Sequence, residues 1–251
     1  MKLKGLTRIQ EERPYADIVR DFAATGASLI RQSIIERYHG TVPQTTRLLE
    51  PGFIPPDRPA RVLIVSYFPN ASDTYKPGTP AYEQTRKRFE TWGRSGDVAD
   101  YRACYEDWLD LLKLVRFHKQ RTEPILEAVG LKNDDFAWLP FVKAPMQAGS
   151  SPGDDVLDYD KDATWAQLQL LKPKIVWIQG VKVAERVIGL VKERITGRIL
   201  PVQSLSQYGT SEKRAEDQAK IVSRLAQYLE ETSLSPQAGP GSLSDSKALV
   251  R

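Results

Sequence analysis

The chain has 251 residues, 41% hydrophobic and 27% charged, an ordinary globular balance with enough length to bury a core. One cysteine, Cys104, excludes an internal disulfide and a cysteine-held zinc or iron–sulfur site, and two distant histidines, His39 and His118, argue against a histidine-rich metal centre. The net charge of +4 and pI near 9.0 permit an anionic partner without requiring one. No apolar run approaches the roughly 18 to 20 residues that span a bilayer, and residues 1–13 are too polar for a secretory signal. A cytoplasmic, monomeric protein with no membrane partner, no metal and no cofactor is therefore expected.

In chain order, residues 14–38 space Ile18, Phe22, Leu29 and Ile34 as one or two helices, with Gly26 as a weak point. Residues 40–60 are proline-rich and read as an irregular connection wrapping over the domain. Residues 61–67 are a continuous apolar run rich in Val and Ile, the pattern of a strand covered on both faces. A basic helix over 80–92 follows, with Arg86, Lys87 and Arg88 adjacent. Next comes an amphipathic helix over 100–117 whose stripe is Tyr101, Cys104, Trp108, Leu112 and Val115. A shorter helix covers about 122–130 and stops at Gly130.

Residues 135–142 give a second strand and 154–172 a helix that opens with acids, where the helix dipole favours them. Residues 174–180 give a third strand, 181–195 a helix and 197–204 a fourth strand. The last helix, over 211–231, carries Ile221, Leu225, Tyr228 and Leu229 on one face, with Ser211 as N-cap. Beyond it Ser, Pro and Gly predominate, as in a disordered tail. Residues 1–232 thus read as one α/β domain with an N-terminal helical extension (1–60), and 233–251 as a flexible tail.

Four apolar strands separated by helical segments predict a four-stranded parallel sheet sandwiched between helices. Ligands of such sheets bind at the carboxyl ends of the strands, which makes neighbours of 66–78, 143–153, 179–183 and 202–214. Pooled, these stretches hold Lys76, Lys143, Lys182, Lys213 and Arg214 against Asp73 and Glu212, so the rim of the expected pocket is basic.

In these places the chain resembles the uracil-DNA glycosylase superfamily, whose fold is a four-stranded parallel sheet between helices. The first strand with Ser66-Tyr67-Phe68-Pro69-Asn70 resembles the family's first motif, a strand ending in a turn with a central proline before the catalytic loop. Residues 138–145, from Trp138 to Pro145, resemble the second-strand segment of the family branch that carries an iron–sulfur cluster. Residues 170–187 resemble the stretch in which a helix ends at a proline, a strand ends in glycine and an alanine-containing helix follows. Residues 201–208 are similar to the DNA-intercalating loop. The likeness covers roughly residues 60–230.

The departures are equally specific. Tyr67 and Phe68 stand beside the motif proline, where active members carry a carboxylate or asparagine that positions water. Pro140 aligns with the base-reading asparagine, Pro201 with the histidine opening the intercalating loop, and the cluster cysteines are missing. Uracil specificity therefore does not carry over.

What the resemblance implies is a DNA glycosylase that flips a base out of the stack and cleaves it from its sugar. Asp73, then Asn70, could hold the attacking water or face the oxocarbenium-like sugar, and both residues equally suit capping a turn. Tyr67, Phe68 and Tyr75 are aromatics on which a base could stack, and Phe68 suits core packing as well. Lys143 and Gln147 could replace lost base contacts, although a solvated lysine fits the sequence equally. Leu205, between Ser204 and Ser206, would be the wedge filling the gap in the stack. Lys182, Lys213 and Arg214 are candidate phosphate contacts, the last two in the first turn of a helix. A modified base, such as a heavily modified cytosine in phage DNA, would explain the loss of the uracil-reading asparagine, and excision would then serve antiviral defence. The rival reading is a silent glycosylase-like module that binds nucleic acid without chemistry. An unrelated doubly wound nucleotide enzyme ranks last, because no glycine-rich phosphate fingerprint follows the first strand.

Overall fold

The computed structural model describes residues 13–32, 36–37, 49–66, 79–115, 117–144, 153–179, 181–200 and 211–234. The expected α/β architecture is present: four parallel strands, β1 (Val62–Ser66), β2 (Phe136–Pro140), β3 (Ile175–Ile178) and β4 (Arg198–Ile199), lie in the order β2-β1-β3-β4. β1 to β3 are buried almost throughout, as both-face coverage requires. β4 is shorter than the 197–204 read from sequence. Leu200 N still donates to Val176 O (2.8 Å), and the next residue, Pro201, has no N–H to offer the ladder.

Seven α-helices surround the sheet among the described residues: α1 (Tyr15–Arg31), α2 (Pro80–Ser95), α3 (Val98–Leu112), α4 (Glu123–Ala128), α5 (Asp154–Leu171), α6 (Val181–Val191) and α7 (Ser211–Leu234). The chain moves from β1 to β2, then back past β1 to β3 and on to β4. Its lateral direction therefore reverses between the adjacent strands β1 and β3, and all four strand exits lie at one edge. Right-handed crossovers put the helices between β1 and β2 on one face, and α5 and α6 on the other. No described helix is long and apolar enough to cross a membrane.

Several local readings change. α1 is a single helix that runs straight through Gly26, and its buried residues are Val19, Phe22, Ala23, Gly26, Ala27, Leu29 and Ile30. A Cβ on Gly26 would stand 2.5 Å from Cζ2 of Trp92. The missing side chain is the space that lets α2 lay its indole on α1, where Trp92 Nε1 donates to Ala23 O (3.0 Å). Part of the connection before β1 lies inside the molecule rather than over its surface. Residues 51–55 are buried, and Phe53 bridges Trp138 antiparallel, with N–H···O distances of 2.7 and 2.8 Å, which closes the β2 edge against further pairing. Gly52 makes this possible: its φ is +103°, and a Cβ there would meet Trp138 O and Leu139 at 2.6 Å. Phe53 then stacks on Trp108 (4.9 Å) and Trp138 (6.3 Å), and Tyr101 Oη donates to Ile54 O (2.5 Å) while accepting from Ile54 N (2.7 Å).

The short fourth helix begins one turn earlier than expected, as a π-helical turn over His118–Thr122, and closes as the sequence predicts. Gly130, at φ +72°, sends its N–H to Glu127 O (3.0 Å), while Leu131 N reaches Leu126 O (2.9 Å), a Schellman closure. Ser211, expected as an N-cap, is itself the first helical residue of α7, and that helix continues three residues past the expected 231, to Leu234. Its expected stripe is correct: Ile221, Leu225 and Leu229 are buried and Tyr228 packs beside them.

Candidate functional site

The strand exits differ sharply in how their polar groups are held. At the β2 exit, α5 turns three polar residues inward. Asp160, Thr164 and Gln167 follow helical spacing on the face shared with Val156, Leu157 and Leu168, and all are buried. Each grips the chain leaving β2. Thr164 Oγ1 donates to Phe141 O (3.2 Å), Asp160 Oδ2 accepts from Lys143 N (2.7 Å), and Gln167 Oε1 accepts from Lys143 Nζ (2.8 Å). Lys143 Nζ also donates to Pro140 O (2.6 Å), and Gln167 Nε2 donates to Pro51 O (2.7 Å), which ties in the segment along the sheet edge. Arg37 completes the cluster, with Nε and Nη2 on Asp160 Oδ1 (2.8 and 2.6 Å) and Nη1 on Gln32 Oε1 (2.8 Å).

This arrangement decides between the two readings of Lys143 as an exposed or an enclosed group. Its side chain is fully buried, so the solvated lysine is excluded, and Lys143 contributes nothing to a solvent-facing basic rim. The Asp160 carboxylate is matched by Arg37, and among the described residues the Lys143 amine is hydrogen-bonded to two neutral oxygens. Burial therefore pushes its pKa down to about 7; Asp160 opposes this shift and Arg37 adds to it. The amine is a buried anchor beneath the chain that continues into 145–152.

One strand over, the geometry is of another kind. In register, Pro140 lies beside Ser66, and Val65 beside Ile178; Gln179 N then donates to Val65 O (2.9 Å), so Gln179 falls next to Ser66. Pro140, Ser66 and Gln179 thus form a row across the carboxyl edge, at the point where the sheet's winding reverses. Ser66 Oγ is shielded from solvent and has no hydrogen-bond partner among the described residues. Gln179, half-buried, donates through Nε2 to Thr122 Oγ1 (3.1 Å), in the π-helical turn. That turn also holds buried His118, whose Nε2 lies 2.8 Å from Asn133 Oδ1 and whose pKa burial lowers. π-turns often accompany functional sites.

Of the residues singled out from sequence, Tyr67, Phe68, Asn70, Asp73, Tyr75, Lys76, Gln147, Ser204, Leu205 and Ser206 lie outside the described residues. What is described is where their segments leave the sheet: Ser66 precedes the first group, Ala144 the second and Leu200 the third, all at one edge. Lys182 lies in the first turn of α6, and Lys213 and Arg214 in the first turn of α7, as expected. The basic run on α2 is largely matched by acids: Arg86 pairs with Glu83 and Glu90, and Arg88 Nε with Asp107 (2.6 Å). Cys104 is buried, its thiol pushed up to about 12, which removes it as a nucleophile.

Sequence reasoning assigned no role to Asp160, Gln167, Ser66 or Gln179. Signals existed: an acid and an amide on the apolar stripe of α5, and a glutamine directly ending the apolar run of β3. No protein-family model matches the chain, and no curated protein matches it.

Proposed function

We propose that the chain is a DNA glycosylase of the uracil-DNA glycosylase type, acting on a modified base rather than uracil and leaving an abasic site, in defence against phage. One observation carries the reading: a parallel sheet sends the segment bearing Asn70 and Asp73 out of an interior strand, at the same edge as the three other strand exits. A flipped base entering there would meet segments from all four strands, with Tyr67, Phe68 and Tyr75 available for stacking and Leu205 for the gap left behind.

The chemistry follows from the residues. The bond between C1′ and the base nitrogen breaks with its electron pair going to the base, and the sugar becomes oxocarbenium-like. Asp73 stabilises that cation or takes the proton of the water that adds at C1′, with Asn70 orienting the water. Lys182, Lys213 and Arg214 hold backbone phosphates. The proline at 140, where the family likeness places a base-reading asparagine, leaves room for a bulkier base.

The replacement of the usual water-positioning residue by Tyr67 and Phe68 favours a second reading, a silent module that binds nucleic acid alone. Asp73→Ala separates the two. Under the glycosylase reading it abolishes alkali-labile sites in native phage DNA while leaving DNA binding intact. Base release at the wild-type rate removes Asp73 from the mechanism.

A further inference from the structure

The row Pro140–Ser66–Gln179 contains more hydrogen-bonding capacity than the described residues use. Pro140 has no N–H, and its carbonyl already accepts from Lys143. Ser66 Oγ can donate once and accept, and it does neither among the described residues. Among the described residues Gln179 makes one side-chain bond, from Nε2 to Thr122 Oγ1, which leaves its carboxamide a second N–H and an acceptor oxygen there. The two groups are rooted on adjacent parallel strands, about 4.8 Å apart, and register puts them on one face of the sheet. A shielded hydroxyl beside an amide anchored at one end is poor design for stability alone, because a buried polar atom without a partner destabilises the native state. It is good design for a planar ligand whose edge presents a donor next to an acceptor.

We infer that Ser66 and Gln179 are the polar contacts for the nucleobase, reading its hydrogen-bonding edge, with Thr122 as the positioning residue that fixes the Gln179 amide. This rests on the glycosylase-like reading for the identity of the ligand, and it adds the residues that take over from the asparagine replaced by Pro140. Half-buried Gln179 is the open side of the pair, and Ser66 the enclosed side. A site whose polar groups are left unpaired by the wrong ligand discriminates strongly against it.

The test is a nuclear magnetic resonance titration of the full chain with the four 2′-deoxynucleosides and with 5-hydroxymethyl-2′-deoxycytidine. Wild type, Ser66→Ala, Gln179→Leu and Gln179→Glu are compared, with thermal melts in parallel. Wild type should bind at least one nucleoside, and Ser66→Ala and Gln179→Leu should each weaken it about tenfold or more. Gln179→Glu, which keeps the size and loses the donor, should change which nucleoside binds best, and it serves if the leucine variant does not fold. Ser66→Ala should also melt roughly 2–4 °C higher, because an unpartnered hydroxyl is gone. Loss of affinity together with a gain in Tm is a combination that a structural serine cannot produce. The inference is overturned if wild type binds no nucleoside, or if the Ser66 and Gln179 variants bind as wild type does. Nucleoside binding without base release from any DNA would refute the glycosylase and leave these contacts standing; base release with nucleoside affinity unchanged in the variants would do the reverse.

Discussion

The exits of β2 and β1 are neighbours at one edge of one sheet, yet their buried polar groups are treated in opposite ways. Leaving β2, the Lys143 amine and backbone N–H, the Asp160 carboxylate and the Gln167 amide are joined in a continuous network that reaches Arg37 and Pro51. Leaving β1, Ser66 Oγ is enclosed and unmatched among the described residues. Burial of polar groups is tolerated where partners are built in, and an unmatched group persists where something outside the fold supplies the partner. The first exit is architecture, and the second is where a ligand is awaited.

The largest expected effect tests the architectural half. Asp160→Ala leaves the Arg37 guanidinium and the Lys143 N–H without their shared carboxylate, and should cost about 3–5 kcal/mol, read as a drop in the urea midpoint at unchanged slope. A loss below about 1 kcal/mol would mean that the network does not hold the β2 exit.

Lys143 gives the next effect through pH. Its pKa is lowered from the ordinary 10.5 to about 7 in the folded protein. Between these values the unfolded chain takes a proton that the folded chain refuses, so its contribution to stability is full above pH 10.5, shrinks as pH falls and is gone below about 7. Wild-type stability should carry a rising component of about 1.4 kcal/mol per pH unit across that window, and Lys143→Met should lack it. Parallel pH profiles for the two proteins would show that the amine is not held neutral.

The contrast sharpens with two smaller changes. Ser66→Ala should stabilise by about 1 kcal/mol in chemical denaturation, whereas truncating a side chain in the β2 network destabilises. Lys172→Gly is the control away from both exits. Lys172 ends α5 in the left-handed region, at φ +44°, and relieving that strain should add roughly 0.5 kcal/mol with no change in nucleoside affinity.

The strands were legible because a both-face-covered strand must be apolar along its length, and 62–65, 136–142 and 175–178 are. So were the stripe of α7 and the first part of that of α3, where Tyr101, Cys104 and Trp108 are buried; α3 ends at Leu112, short of the expected 117, and Val115 lies beyond it. Gly26 was misread because propensity scores a glycine by the helix it weakens, while here the missing Cβ makes room for Trp92, 66 residues away. Residues 51–55 looked like surface because prolines punctuate loops, and nothing local announces that Phe53 will bridge Trp138. At the candidate site the convergence of strand exits was readable, since parallel topology fixes it. The pairing of Ser66 with Gln179 was not, because it depends on the register of two strands more than a hundred residues apart.

Base excision at the carboxyl edge of the sheet is the activity on which the proposed function stands or falls. The most direct measurement counts abasic sites after incubating the protein with native phage DNA carrying modified cytosine and with unmodified DNA of the same sequence. A glycosylase acting on a modified base should give alkali-labile breaks that accumulate with time in the modified DNA, are sparse in the unmodified DNA and vanish with Asp73→Ala. Negligible release from both DNAs would refute the glycosylase.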